Sequence, residues 1–140
     1  MHRLRTTLFF FSVLAVLTAS CTTIAVATGK PIPENQSAEI QQKIHEFFPD
    51  VEVASIMIAI ATCESTGLIH WGTDGKLLPN SYGNSSAAGV FQILLYTHRK
   101  KIKEMGLDMS NIDHYMTFVR HLYDMEKYNP WRASKHCWGS

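Results

Sequence analysis

Charge is scarce in this chain and almost balanced. Asp, Glu, Lys and Arg make up 18% of its 140 residues, 13 basic against 12 acidic, for a formal net charge of +1. That leaves no broad basic surface of the kind a phosphate backbone requires, so no nucleic-acid partner is expected. The densest basic run, "HRKKIK" at 98–103, reads as a solvated helix face. No internal repeat or low-complexity tract is visible. Metal-ligand spacing is missing too. His45, His70, His98, His114, His121 and His136 form no His-Glu-x-x-His pair. Neither a metal nor a cofactor is expected.

Cysteine is also rare, with three in all. The N-terminus decides how they count. His2, Arg3 and Arg5 precede an apolar stretch, "LFFFSVLAVLTA" at 8–19, and "AVA" at 25–27 offers a small-x-small cleavage signal. Residues 1–27 therefore read as an export signal. A competing reading takes "LTASC" at 17–21 as a lipobox with Cys21 as a lipid-bearing N-terminus, although Thr18 stands where that pattern takes Leu or a similar aliphatic. An uncleaved anchor needs about 20 apolar residues, which 8–27 reach only by counting Ser and Thr. Export is expected on either of the first two readings, with membrane anchoring only through Cys21. Removing residues 1–27 leaves Cys63 and Cys137, an even pair that in an exported chain predicts one disulfide. A Cys-His nucleophile built from either cysteine and His136 would conflict with that bond.

What remains reads as one mostly helical domain over 37–140, after a Pro-containing linker at 28–36. Ile40, Ile44, Phe47 and Phe48 form one helical stripe, with Ser37 as the expected cap and Pro49 as the stop. Asp50 can cap a second helix carrying Val53, Met57, Ile60 and Glu64, which Gly67 terminates. Residues 67–86, "GLIHWGTDGKLLPNSYGNSS", break the pattern and predict a long loop or small irregular hairpin, the kind of segment that usually serves function. "SAAGVFQILL" predicts a helix capped by Ser85 or Ser86, and 97–105 another. Ser110 and Asp113 suggest a capping box before a helix with Tyr115, Val119, Leu122 and Tyr123 on its buried stripe.

Glu64 is the anomaly. At about 100° per residue it falls within about 20° of the apolar face of its helix, so it does not simply point to water. Desolvation disfavours the charged form of a carboxyl so placed, which suits a general acid. Spacing alone leaves open the plainer reading, an ordinary Glu reaching solvent at a helix end.

Three segments together resemble the lysozyme-like lytic transglycosylases: "ESTG" at 64–67, "SSAAGVFQI" at 85–93, and "SNI" at 110–112 before an amphipathic helix. "TCES" at 62–65 also resembles the catalytic segment of resuscitation-promoting-factor domains. The likeness covers roughly Val53 to Trp131. It implies an α+β, mostly α, lysozyme-like fold and cleavage of the β-1,4 bond between N-acetylmuramic acid and N-acetylglucosamine in peptidoglycan. It implies Glu64 as the single catalytic acid/base, with Ser65, Gly89, Phe91 and Gln92 around the sugar. Trp71 and Tyr82 are further candidates for sugar contact, and Trp131 and Trp138 for aromatic platforms. A hydrolytic muramidase would want a second carboxylate, for which Asp74 is the loop candidate. The family's tyrosine facing the glutamate has only a weak counterpart here, "YN" at 128–129, so Tyr128 reads equally as a helix-end residue. A monomer is expected. A non-catalytic peptidoglycan-binding module on the same fold stays open as the alternative class.

Overall fold

A computed structural model describes residues 35–79 and 85–139. The export signal, Cys21, nearly all of the 28–36 linker, and Tyr82 lie outside the described residues. The chain is mostly helical with one two-stranded sheet. In order come α1 (Gln36–Phe47), α2 (Val51–Ser65), β1 (Ala87–Ala88), β2 (Ile93–Leu94), α3 (Leu95–Glu104), α4 (Ile112–Glu126), a 3-10 helix (Asn129–Ser134) and α5 (Lys135–Trp138). Among the described residues no helix is long and apolar enough to cross a membrane.

The first helices form where periodicity places them. Ile40 and Ile44 of α1 and Phe48 beyond it are buried, and Pro49 stops the helix by removing the next donor. The cap is Asn35, whose side chain accepts from the Ala38 amide at 3.2 Å, and not Ser37. Helix formation thus reaches back into the expected linker. Gln36 also does tertiary work. Its Oε1 accepts from the amides of His70 and Trp71 at 3.1 and 3.0 Å, and its Nε2 donates to the Trp71 carbonyl at 3.2 Å. Asp50 caps α2 as expected, accepting from Val53 N–H at 3.0 Å. Thr66 closes it in the left-handed region at φ 56° and Gly67 follows at φ 115°, a stop a glycine tolerates.

α4 packs against α1, which packs in turn on α2. Tyr115, Met116, Phe118 and Val119 are fully buried among Ile40, Ile44, Met57 and Ile60. Its cap is Asn111, which accepts from the Asp113 and His114 amides, so the expected Ser110–Asp113 box is replaced by a side chain one residue later. The tail then folds back over α2 as the 3-10 helix and α5. Cys63 and Cys137 are bonded there, with Cα atoms 6.2 Å apart across 74 residues of sequence.

The expected helix from residue 86 is not formed. Ala87–Ala88 pair antiparallel with Ile93–Leu94, and a tight turn joins them, with Gly89 at φ 73° and Gln92 at φ 47°. α3 begins only at Leu95. None of its residues is fully buried, and Lys100 and Lys101 lie near Glu104 on its solvated face. The preceding loop is irregular, as expected, with single bridges from Trp71 to Leu77 and from Pro79 to Ala88.

Candidate functional site

Glu64 sits half-buried in the last turn of α2, above the fully buried Met57 and Ile60. It lines a cleft of about 610 Å³ whose other walls include Gln92, Ile93 and His98, Leu122 and Glu126 of α4, and Trp131. The helix delivers Glu64 there because its apolar stripe runs up to the cleft floor and ends.

One wall comes from the tail. Ser134 Oγ lies 2.6 Å from Glu64 Oε1 and 3.0 Å from the Trp131 carbonyl, while the Trp138 indole N–H donates to the same Oγ at 3.0 Å. A hydroxyl has one hydrogen, so it can serve only one of those two acceptors at a time. The shorter contact, to a carboxylate, is the stronger when Glu64 is ionised. Among the described residues Oε2 makes no hydrogen bond, which leaves it the oxygen available to a ligand. The disulfide brackets this chain of contacts, since Cys63 adjoins Glu64 and Cys137 adjoins Trp138.

The opposite wall is the 89–92 turn, pinned from beneath. Tyr115 Oη donates to the Ala88 carbonyl at 2.9 Å and accepts from Phe91 N–H at 3.0 Å. Val90 N–H donates to His70 Nδ1 at 3.2 Å, and Trp131 Nε1 donates to the Phe91 carbonyl at 3.1 Å. These bonds satisfy backbone groups that burial would otherwise leave costly. Burial holds the Tyr115 phenol well above its ordinary range, and the charge of Glu64 pushes the same way. Gly89 is required here: a Cβ would come within 2.7 Å of the Tyr115 ring. Gln92 turns outward, its Nε2 donating to the Gly89 carbonyl at 2.9 Å, and presents its amide to the cleft.

Of the residues singled out from sequence, the cleft unites Glu64, Gln92, Cys63 and Trp131. Ser65 is buried, 3% exposed, and its hydroxyl donates to the Ala61 carbonyl and accepts from Ile69 N–H, so it has no face for a sugar. Phe91 is fully buried, packing 5.6 Å from the Trp131 ring beneath the cleft. Gly89 serves the approach of Tyr115 and not that of a ligand. Trp71 is buried edge-on against His70 at 4.6 Å. Asp74 is exposed in a turn, accepting from Lys76 N–H at 3.1 Å and lying 3.7 Å from Lys76 Nζ, away from the cleft lining. Tyr128 packs against Tyr123 and Trp138, outside the cleft lining. Burial, with Tyr123 beside it, pushes its phenol up to about 12.

Sequence reading placed Tyr115 on the buried stripe, as found, but gave no site role to Ser134, Tyr115, His98 or Glu126. Burial pulls His98 below its ordinary value against the opposing charge of Glu126, which favours a neutral imidazole on the cleft wall. A signal for Ser134 did exist: it stands three residues before Cys137, whose pairing with Cys63 draws the tail to Glu64. Among the described residues no cluster of His, Cys, Asp and Glu could hold a metal ion. Comparison with protein-family models gives no match, and neither curated proteins nor solved structures provide one.

Proposed function

We propose that this chain is a lysozyme-like lytic transglycosylase that cleaves peptidoglycan glycan strands at the MurNAc-β-1,4-GlcNAc bond, with Glu64 as acid and then base. The observation that carries the reading is Glu64 itself: half-buried, on a cleft, with Oε1 held by Ser134 and Oε2 without a hydrogen bond among the described residues. A carboxyl with one oxygen held and the other available can give a proton along a defined direction.

Protonated Glu64 donates from Oε2 to the glycosidic oxygen as the C1–O bond breaks. The muramic acid's own C6 hydroxyl then adds to C1, and its proton passes to the Glu64 carboxylate. No water is consumed, and the product is a 1,6-anhydro sugar. Ser134 can keep its hydrogen on Oε1 while the group is charged and turn it to the Trp131 carbonyl when it is neutral, which lets the site follow the proton. Gln92, across the cleft, offers an amide for sugar hydroxyl or N-acetyl groups. The wall's location outside the cytoplasmic membrane agrees with the export signal expected at residues 1–27.

A specific observation favours one second reading. Glu126 shares the cleft lining, whereas Asp74 does not. A hydrolytic muramidase on this chain would therefore draw its second carboxylate from Glu126, the water attacking where the C6 hydroxyl otherwise would. Mass spectrometry separates the routes, because the anhydro product weighs one water less.

The test is Glu64→Gln, which keeps the shape and removes the proton donor. Release of muropeptides from purified peptidoglycan is expected to fall at least ~10³-fold with the circular-dichroism spectrum unchanged, of the order expected for loss of an essential acid/base. Undiminished turnover by that variant rejects the assignment. A non-catalytic module predicts binding without release by the unaltered chain.

A further inference from the structure

A second hollow, of about 560 Å³, lies on the tail beside the cleft. Tyr128 and Trp138 wall it, their ring centroids 5.9 Å apart, and Lys127, Arg132 and Lys135 rim it. Elsewhere among the described residues Lys43, Lys76, Lys100, Lys101 and Arg120 lie within ion-pair distance of carboxylates, whereas Arg99, stacked on Tyr96, and Lys103 do not. Among the described residues Lys127, Arg132 and Lys135 make no ion pair, and Lys127 Nζ lies 4.8 Å from the Tyr123 ring centroid, so Arg132 and Lys135 are the rim cations with neither a carboxylate nor an aromatic partner. Glu126 is the one carboxylate in the lining, and its Oε2 accepts from Asn129 Nδ2 at 3.3 Å. Asp50 and Glu52 also act on Tyr128 electrostatically, so the positive charge is concentrated at the Arg132–Lys135 side.

Two features tie the hollow to the cleft. Glu126 lines both. Trp138 presents its ring to the hollow while its indole N–H donates to Ser134, the residue that holds Glu64. A group bound in the hollow is thus two hydrogen bonds from the reacting carboxylate.

We propose that this hollow binds a free carboxylate of the peptide that branches from the strand lying in the cleft, an inference that rests on the peptidoglycan reading above. A bare glycan is uncharged and leaves Arg132 and Lys135 unanswered. The muramic acid lactyl group carries a peptide with free carboxylates, and the Arg132 fork beside the Lys135 ammonium is suited to receive one. The aromatic walls supply flat apolar faces for the peptide's methyl and amide groups.

The experiment titrates the full chain, disulfide intact, with an isolated stem tripeptide bearing free carboxylates and with its amidated counterpart, following the Trp138 indole resonance by NMR. The free-acid peptide is expected to shift it saturably, and the amidated peptide to bind about tenfold more weakly. Arg132→Glu/Lys135→Glu, both at exposed positions, is expected to weaken the free-acid peptide about tenfold, and to raise KM for peptide-bearing strands about tenfold more than KM for peptide-free strands. Equal binding of both peptides, or no shift at Trp138, overturns the proposal. So does binding of vesicles of anionic phospholipid through Arg132 and Lys135 with no response to peptide, which would make the hollow a membrane contact. Because the titration needs no turnover, it decides the proposal even if the chain fails to cleave glycan.

Discussion

The two walls of the cleft are held in opposite ways. The Gln92 wall is a turn whose backbone is bonded from below by fully buried side chains, Tyr115 and His70, and by the nearly buried Trp131. The Ser134 wall is a short tail, mostly exposed apart from Trp131, held against α2 by one covalent bond and by side-chain contacts, with Trp131 as its anchor in the core. The first wall therefore belongs to the core and should fail only when the core does. The second has exposed residues beyond Trp131 that can loosen while the core stays intact. On the proposed reading, the parts that would bind sugar are made rigid by burial, while the side chain that contacts Glu64 Oε1 stands on the more exposed tail.

The largest effect should come from the covalent tie. Cys63→Ser/Cys137→Ser is expected to cost about 4 kcal/mol by the chain-entropy relation for a loop of this length, measured by urea unfolding. A loss below about 1 kcal/mol would show the tail to be held by its packing alone, and the contrast between the walls would weaken.

Tyr115→Phe tests the other wall. It strips partners from the buried Phe91 amide and Ala88 carbonyl, so about 2–3 kcal/mol of stability should go, with the 89–92 amides losing hydrogen-exchange protection while those of the tail keep theirs. Equal loss of protection in both regions would mean the walls are one unit.

Ser134→Ala should cost only about 1 kcal/mol in stability, since it removes one hydroxyl from a partly exposed site. Turnover should fall more, about tenfold, because Glu64 Oε1 loses its donor, while the Trp138 indole keeps the Trp131 carbonyl as acceptor at 3.2 Å. The ratio of the two effects is the measurement. Activity that tracks stability alone would demote Ser134 to a structural contact.

Asp74→Asn marks the small end. The residue is exposed and holds only its own turn, so stability should change by less than about 0.5 kcal/mol and turnover by less than about twofold. A large activity loss would return a loop carboxylate to the chemistry.

Much of this was legible one element at a time. The period of the apolar residues located α1, α2 and α4, Asp50 and Gly67 marked the ends of α2, and the even cysteine pair predicted the bond between Cys63 and Cys137. Errors gathered where a residue's role depends on a distant partner. "GVFQ" looks like the start of a buried helix because its residues are apolar. It forms a turn because a hydroxyl 24 residues on supplies the hydrogen bonds a helix would have supplied internally. Ser65 and Phe91, expected at a sugar, were drawn inward by the same backbone demands. The caps at Asn35 and Asn111 were displaced by one or two residues, since neighbouring polar side chains compete for the same first-turn amides.

By itself the sequence determined that an apolar helix would run into a carboxylate and that a cysteine next to it would meet another near the C-terminus. Periodicity and pairing are local or countable, so no fold is needed to read them. Only the tertiary structure decided which groups meet that carboxylate. Ser134 reaches it across 70 positions, and Glu126 joins the cleft while Asp74, much nearer in sequence, does not. Each helix declares which of its faces is apolar, but which faces meet is settled by all of them packing at once.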